Sequence, residues 1–345
     1  MRHRPEERRR PTMKDVAALA GVSMKTVSRV INDEPMVSPD VATRVMSAVG
    51  QLNYQPDQRA GSLRRAGRKS ETIGLVVSSV ANPFAAAINR AVENTARARD
   101  IAVFASSIDD DPEREQPTVE ALLRRRVDGL ILTTVRKSQS YLLSEQAFGT
   151  PIVFVDREPA GVEADAVMSD HARGASTATR HLLDHGHTRI AYLGDLSTIQ
   201  SARERRRGFL KELGVRGVPT ADCPIVMDLH DAAAAERVTL QLLTGPEPPT
   251  AIFSSQNLLT VGAIRALRSL AAHDSIALVG FDDLPLADLL EPGVTVIAQD
   301  PHRIGTLAAN LLFARLDGNT EEPRNYIVET ALIARGSGEI LPRDR

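Results

Sequence analysis

The chain has 345 residues, of which 42% are hydrophobic and 25% charged, and this composition is ordinary for a globular protein of two or three domains. Its single cysteine, Cys223, excludes an internal disulfide framework, and no apolar run approaches the length of a membrane span. The first residues are charged and lack the apolar segment of a secretory signal, so we expect a cytoplasmic protein without membrane partners.

The net charge of −2 hides an asymmetry along the chain. Residues 1–70 hold 14 Lys or Arg and 7 Asp or Glu, whereas the remaining residues hold 28 and 37. A basic end on an acidic body indicates that the amino-terminal part meets a polyanion. The basic arm at 1–11 either adds phosphate contacts or is a disordered charged tail.

Two short helices separated by a tight turn are predicted directly after this arm. Thr12 precedes a helical pattern of small and apolar residues, Gly21 interrupts that pattern, and Ser23 can cap a second helix. This arrangement is a helix-turn-helix. A third helix begins after Ser38 and closes a small core.

The second helix is predicted to carry its polar residues on one face. Opposite its apolar side lie Met24, Lys25, Ser28, Arg29 and Asn32. Lys and Arg can donate to guanine O6 and N7, and a methionine can contact a thymine methyl, so this face suits a DNA major groove. The same pattern also occurs on solvated helices that bind nothing.

The segments TMKDVAALAGVSMKTVSRVIN and VSPDVATRVMSAVGQLNYQP resemble the headpiece of the lactose-repressor/galactose-repressor (LacI/GalR) family of bacterial transcription factors. The resemblance implies a DNA-binding headpiece at 12–56 and a hinge helix at 57–70 that inserts Leu63 into the minor groove. The alternative for Leu63 is a linker leucine that packs on its own domain. Thr12 and Thr26 join the residues of the second helix as candidate DNA contacts.

From residue 71 onward, short apolar runs alternate with helical stretches. Strands are predicted at 73–77, 101–105, 129–133, 152–155, 190–193, 224–227, 251–254 and 276–281. Helices are predicted at 83–99, 112–126, 138–147, 174–185, 201–213, 232–243 and 258–270. Strands that are apolar throughout indicate parallel sheets covered on both faces, so the fold class is α/β, with two lobes and an all-α headpiece.

GLVVSSVANPFAAAINRAVENTARARD, PIVFVDRE and LVGFDDLPLADLLEPGVTVIAQD resemble the effector domain of the same family, which is similar to periplasmic sugar-binding proteins. The resemblance implies an effector-binding and dimerisation domain at 71–345. It further implies three crossings between the lobes, with the first lobe at about 71–169 and 300–328. A homodimer or larger assembly would bind a pseudo-palindromic operator and act as a repressor.

Ligands of open α/β sheets bind beyond the carboxyl ends of the strands. We therefore expect ligand contacts from Phe84, Asp156, Arg203, Phe253, Asn257 and Asp282. Carboxylates and an arginine fork can bind vicinal hydroxyls, while a phenyl ring covers the apolar side of a sugar. By resemblance Arg203 and Asp282 match the recurrent effector contacts; the alternatives are an exposed charge in the run RERRR and a helix cap.

The expected effector is a sugar or sugar derivative, with a purine as the alternative because the family includes purine-responsive members. Gln256 and Asn257 stand where the family usually has Asn-Asp, and the loss of a carboxylate leaves a less hydroxyl-rich or a more anionic effector open. The basic headpiece disfavours a solute receptor, and no motif supports a sugar-acting enzyme. We expect no cofactor and no metal, since His181, His185 and His187 match a structural turn of the family.

Overall fold

The computed structural model describes residues 11–31, 34, 37–52, 54 and 70–342. Asn32 and Leu63, together with the hinge residues 57–69 and the basic arm up to residue 10, lie outside the described residues. The chain divides into two compact units, Met1–Ser70 and Glu71–Arg345.

The described part of the first unit contains three helices, α1 (Met13–Ala20), α2 (Met24–Ile31) and α3 (Pro39–Leu52). Gly21 ends α1 with φ of 65°, a left-handed conformation that glycine adopts without strain. The hydroxyl of Ser23 accepts a hydrogen bond from the backbone N–H of Thr26 (3.1 Å) and so caps α2. Each helix contributes one completely buried valine to the common core, namely Val16, Val27 and Val45. The predicted helix-turn-helix is confirmed.

The second unit contains two six-stranded sheets, which form two lobes. The strands of the first lobe are β1 (Thr72–Val77), β2 (Ala102–Ser107), β3 (Gly129–Leu132), β4 (Ile152–Val155), β5 (Asp165–Ser169) and β11 (Asn325–Val328). Those of the second lobe are β6 (Ile190–Leu193), β7 (Ile225–Val226), β8 (Ala251–Ser254), β9 (Ala277–Phe281), β10 (Thr295–Ala298) and β12 (Ala331–Ile333). Their spatial orders are β11-β5-β4-β3-β1-β2 and β12-β10-β9-β8-β6-β7, and every pairing is parallel except that of β10 with β12.

The helices that cover the sheets are α4 (Pro83–Arg97), α5 (Pro112–Arg124), α6 (Leu143–Ala147), α7 (His171–Asp184), α8 (Gln200–Val215), α9 (Ala232–Thr244), α10 (Asn257–Ser269) and α11 (Pro301–Leu316). In the first lobe α4 and α11 pack on one face of the sheet and α5 on the other. In the second lobe α7 and α8 cover one face, and α9 and α10 the other. Burial on both faces explains why these strands are apolar throughout. Within the described parts of the chain, no helix is long and apolar enough to span a membrane.

The chain crosses between the lobes after β5, after β10 and after β11. These positions match the predicted lobe boundaries near residues 169, 300 and 328. Three predicted strands, at 152–155, 190–193 and 251–254, have the observed bounds, and most other elements differ by at most three residues at an end. The stretch 138–147 is not one helix but a short 3₁₀ helix (Ser140–Leu142) followed by α6. No prediction covered β5, β10, β11, β12 or α11.

Candidate functional site

The exposed face of α2 presents a varied set of polar groups. Met24 is 54% exposed, Lys25 is exposed, and Ser28 and Arg29 are half-buried. The Nε atom of Arg29 lies 3.9 Å from a carboxylate oxygen of Glu34, a long contact that leaves the guanidinium 40% exposed. A thioether, an ammonium, a hydroxyl and a guanidinium therefore share one surface, as the groups of a groove-reading helix do.

The two candidate threonines make hydrogen bonds at helix starts. The backbone N–H and the hydroxyl of Thr12 both donate to the carboxylate of Asp15, at 2.7 and 2.6 Å. The hydroxyl of Thr26 shares a hydrogen bond of 2.9 Å with that of Ser23. Both threonines thus fix the starts of α1 and α2, and this leaves the backbone N–H groups of those helix ends in defined positions.

The second surface is the cleft between the lobes, where the carboxyl ends of both sheets meet. Polar residues follow the strands there within three positions, namely Asp156 after β4, His171 after β5, Asp195 after β6, Asn257 after β8, Asp282 after β9 and Gln299 after β10. All of them except Gln299 are buried. A buried polar surface of this kind is typical of a ligand site in an α/β protein.

Asp282 lies beside an arginine, but the arginine is Arg205 and not the predicted Arg203. Arg205 is 5% exposed, its Nη1 lies 3.8 Å from Asp282 Oδ2, and the same nitrogen donates to the carbonyl oxygen of Ser255 (2.6 Å). Its guanidinium also stacks on Phe281, 3.9 Å from the ring centroid. Burial raises the pKa of Asp282, although Arg205 and a hydrogen bond from Gln299 act in the opposite direction.

Arg203 is exposed, and its guanidinium donates to the carbonyl oxygens of Ser197 and Thr198. Arg203 and Asp282 were both predicted as ligand contacts, but the structure brings only Arg205 beside Asp282, because two residues of an α-helix span about 200°, which turns Arg203 to the opposite side of α8. The helical period of the sequence could have identified Arg205, because this residue falls on the buried face of α8. The buried residues of α8 are Ser201, Ala202, Arg205, Gly208, Phe209, Glu212 and Leu213.

Phe253 is a core residue, so its predicted role as a stacking surface in the cleft is wrong. Its side chain is completely buried, with ring centroids of Tyr192 and Phe209 at 5.5 and 6.2 Å. β8 is buried on both faces, and the side chain of Phe253 points to the layer formed by α7 and α8. Phe84, by contrast, is half-buried in the first turn of α4, at the edge of the first-lobe core.

Asn257 links the two lobes. Its amide nitrogen donates to the side-chain oxygen of Asn82 (2.9 Å), and the amide nitrogen of Asn82 donates back (3.3 Å). A second bridge joins the backbone N–H of Glu158 to the side-chain oxygen of Gln200 (2.8 Å). In the state that the structure describes, the lobes are thus held together by neutral hydrogen bonds.

Asp156 lies in a charged row that includes an arginine missed by the sequence analysis, Arg157. One nitrogen of Arg157 lies 2.7 Å from Asp110 Oδ1, its Nε lies 3.3 Å from Asp156 Oδ2, and its Nη1 donates to the carbonyl oxygen of Thr134 (2.9 Å). Burial opposes the charge of Arg157, but the carboxylates of Asp110 and Asp156 raise its pKa above the ordinary value. The sequence could have identified Arg157 as a candidate, because it directly follows Asp156 at the end of a buried strand.

His171 lies between the two buried arginines and is neutral. Its Nδ1 faces the guanidinium of Arg205 at 3.3 and 3.4 Å, and its Nε2 lies 3.3 Å from the carbonyl oxygen of Asp156. Nδ1 therefore accepts and Nε2–H donates. Burial, and after it the charge of Arg205, lower the pKa of His171 to about 4.

Several polar side-chain atoms are buried near the cleft. Ser169 Oγ, Ser255 Oγ and Gln299 Oε1 are buried and have no hydrogen-bond partner among the described residues. Such atoms are rare in folded proteins unless water or a ligand satisfies them. At the edge of the second lobe, a hydrogen bond of 2.9 Å to Asp195 raises the pKa of His230.

The three histidines near residue 185 make contacts within the protein. His181 pairs with the carboxylate of Glu339, and Nε2 of His187 bonds the carbonyl oxygen of Ile340 (2.7 Å). His185 bonds the carbonyl oxygen of His181 (2.7 Å). Among the described residues, no group of three or more His, Cys, Asp or Glu side chains could hold a metal ion.

Two known families match separate parts of the chain. Residues 12–57 match the bacterial regulatory proteins of the lacI family, and residues 179–338 match the periplasmic binding protein-like domain. The ribose operon repressor of Escherichia coli strain K12 is 32% identical over 329 residues, which cover 94% of this chain and 99% of that repressor. The chain belongs to the lacI family. It is a DNA-binding transcriptional regulator whose operator affinity is under the control of a small effector, as its resemblance to that family implied.

Two solved structures extend this similarity to the fold. The lac repressor dimer bound to operator and the anti-inducer ONPF has a TM-score of 0.83 at 28% identity, with 96% of this chain and 99% of that chain covered. The regulator CelR in complex with cellobiose has a TM-score of 0.69 at 29% identity, with 95% and 100% covered. The predicted fold class and family are confirmed.

Proposed function

We propose that this regulator is a homodimeric repressor whose cleft binds an uncharged sugar, with ribose as the first candidate. Each subunit contributes one headpiece to a pseudo-palindromic operator, and the sugar changes operator affinity by binding one arrangement of the lobes better than the other. It acts in the cytoplasm, where the DNA lies, and releases the sugar chemically unchanged.

The balance of charges in the cleft supports an uncharged ligand. Arg157 is held by Asp110 and Asp156, and Arg205 is held beside Asp282. A phosphate or carboxylate on the effector would be repelled by these acids. It would find no unpaired arginine among these groups to compensate the repulsion. A hydroxyl can donate to a carboxylate and also accept from a guanidinium or amide, so a neutral polyol suits this set of groups.

The aromatic residues favour a sugar over a purine. A purine ring needs a flat apolar surface, but Phe253 is in the core and one face of Phe281 is covered by the guanidinium of Arg205. Among the predicted aromatic contacts, Phe84 alone remains near the cleft. The ribose operon repressor is similar over nearly its whole length, and the CelR neighbour is solved with another sugar, which supports testing ribose first.

The homodimer is supported by an apolar edge of the first lobe. β2 is the last strand of its sheet, and Phe104 on it is 43% exposed. A groove of about 630 Å³ runs between β2 and α5, with Pro117 and Ala121 among its lining residues. Exposed apolar edge strands are usually covered by a partner, and the similar lac repressor is a dimer in its solved structure. We propose that a second copy of this chain covers the groove.

The proposed contacts with DNA follow from α2. Met24, Lys25, Ser28 and Arg29 form the candidate base-reading surface, Thr12 and Thr26 order the two helix starts near the phosphates, and Asn32 and the minor-groove wedge Leu63 remain proposals outside the described residues. Phosphate contacts position a headpiece, and base-edge contacts make it specific.

Titration calorimetry with ribose, ribose 5-phosphate and adenine tests the effector. We expect ribose to bind, and we expect the phosphate and the purine to bind at least tenfold more weakly. Fluorescence anisotropy of labelled operator DNA with and without the bound compound then shows whether it controls DNA affinity. Tighter binding of ribose 5-phosphate than of ribose would contradict the charge argument, and binding of adenine alone would favour the purine alternative.

A further inference from the structure

Glu115 is a buried carboxylate that lies outside the row of charges described above. It is in the first turn of α5, and its side chain is 2% exposed. Oε2 accepts hydrogen bonds from the hydroxyl of Thr134 (3.0 Å) and from the backbone N–H groups of Val135 (2.6 Å) and Arg136 (2.8 Å). Oε1 accepts from Gln139 Nε2 (3.4 Å) and from the hydroxyl of Tyr141 (2.9 Å).

All five donors belong to the segment 134–141, which follows β3. A carboxylate has about four lone-pair sites, so this segment uses the whole acceptor capacity of Glu115. Two of the donors are backbone N–H groups, which cannot turn to another partner without a change in the backbone. Leaving such donors unpaired inside the protein is unfavourable because they lose their hydrogen bonds to water without gaining another partner. The conformation of the segment therefore depends on Glu115.

The same segment holds one side of Arg157. Thr134 donates through its hydroxyl to Glu115, and its carbonyl oxygen accepts from Nη1 of Arg157 (2.9 Å). The carboxylate nearest to the guanidinium, that of Asp110, lies in the turn directly before α5. One helix start thus provides the carboxylate that pairs with Arg157 and the carboxylate that orders the opposing carbonyl.

We propose that Glu115 is a positioning residue of the effector cleft, which acts through segment 134–141 to fix the guanidinium of Arg157. The contribution of Arg157 to effector affinity rests on the proposed function; its position does not. Glu115 acts on the cleft from the first turn of α5, through the segment that it orders. Its loss lowers effector affinity by releasing Arg157.

The first test needs no effector. Crystal structures of the sugar-free Glu115→Ala protein should show the Thr134 carbonyl oxygen more than 4 Å from Nη1 of Arg157. Glu120→Ala is the matched control, since Glu120 lies on the same helix with its side chain 48% exposed, and it should leave the contact in place. An unchanged contact in Glu115→Ala overturns the proposal. If that protein does not fold, Glu115→Gln, which keeps one carbonyl acceptor, is used with the same criterion.

The second test is a double-mutant cycle on ribose affinity measured by calorimetry. Glu115→Ala should weaken ribose binding about tenfold in the wild-type background, the effect of losing one hydrogen bond to a charged group. It should have no further effect in an Arg157→Gln background. An equal loss in both backgrounds would assign Glu115 a general structural role and overturn the proposal. Wild-type protein that binds no ribose would contradict the proposed effector, and the crystallographic test then decides the role of Glu115.

Discussion

Arg203 and Arg205 show how closely the effector site depends on helix phase. They stand two positions apart in RERRR, and composition does not distinguish them. Arg205 lies on the side of α8 that packs against the lobe, where burial strengthens its interaction with Asp282, whereas Arg203 faces solvent. The chemistry of the cleft thus follows from the 100° rotation per residue of one helix.

Arg205→Gln should lower ribose affinity about thirtyfold, because it removes a charged donor from a buried site, an effect of about 2 kcal/mol. Calorimetry of the purified variants measures this. Arg203→Gln, the matched change at the exposed position, should alter affinity less than twofold. A larger loss in Arg203→Gln than in Arg205→Gln would restore the original assignment of the site to Arg203.

His171 should make the folded state sensitive to acid. Its pKa is about 4 in the folded protein and near 6.5 when unfolded, so below pH 6.5 the unfolded chain binds a proton that the native state does not. The contribution of His171 to the free energy of unfolding is fully present above pH 6.5. It should fall by about 3 kcal/mol as the pH drops to 4. Urea unfolding at several pH values measures the free energy of unfolding. The His171→Asn protein should lose about 3 kcal/mol less than the wild type between pH 6.5 and pH 4. Parallel pH curves for the two proteins would refute it.

At the scale of single elements, α2 separates its two roles by face. Val27 is completely buried between the helices of the headpiece, so Met24, Lys25 and Arg29 must point outward. This separation follows from the apolar period alone, which is why the sequence was sufficient to predict it.

Arg29→Ala should relax base preference at one operator position and cost about 1–3 kcal/mol of specific binding there. The measurement is operator affinity over a set of single-base variants. Arg44→Ala, which removes an exposed arginine from α3, provides the comparison and should leave the preference unchanged. A uniform loss across all variants would make Arg29 a phosphate contact.

The sequence predicted long, periodic elements well and the carboxyl-terminal elements poorly. β12 has three residues and pairs antiparallel to β10, and β11 and β12 follow one another without a helix. A rule that expects strands and helices to alternate therefore fails there. β5 carries a polar residue at each end and β10 begins with a threonine, so their apolar signal is weak. Glu115 could not be assigned from spacing because its partners lie 19 to 26 residues further along the chain.

At the scale of the whole molecule, the proposed function requires two copies. Phe104→Asp places a charge on the exposed edge strand and should shift the protein toward monomers, with at least a tenfold loss of operator affinity. Sedimentation velocity and operator titration measure the two effects. Phe148→Asp changes a phenylalanine that is 82% exposed elsewhere in the first lobe and should leave both quantities unchanged. An intact dimer in Phe104→Asp would exclude this edge as the interface.

The three crossings between the lobes determine how this protein can be recombined with its relatives. Neither lobe is a single stretch of chain: the first needs 72–169 together with 301–328, and the second needs 171–298 together with 331–333. A chimaera that exchanges the second lobe alone therefore requires three junctions, all of them beside the cleft. The headpiece unit ends at residue 70 and requires one junction. Operator preference is thus the property that can be grafted independently, whereas the two halves of the effector site must be inherited together.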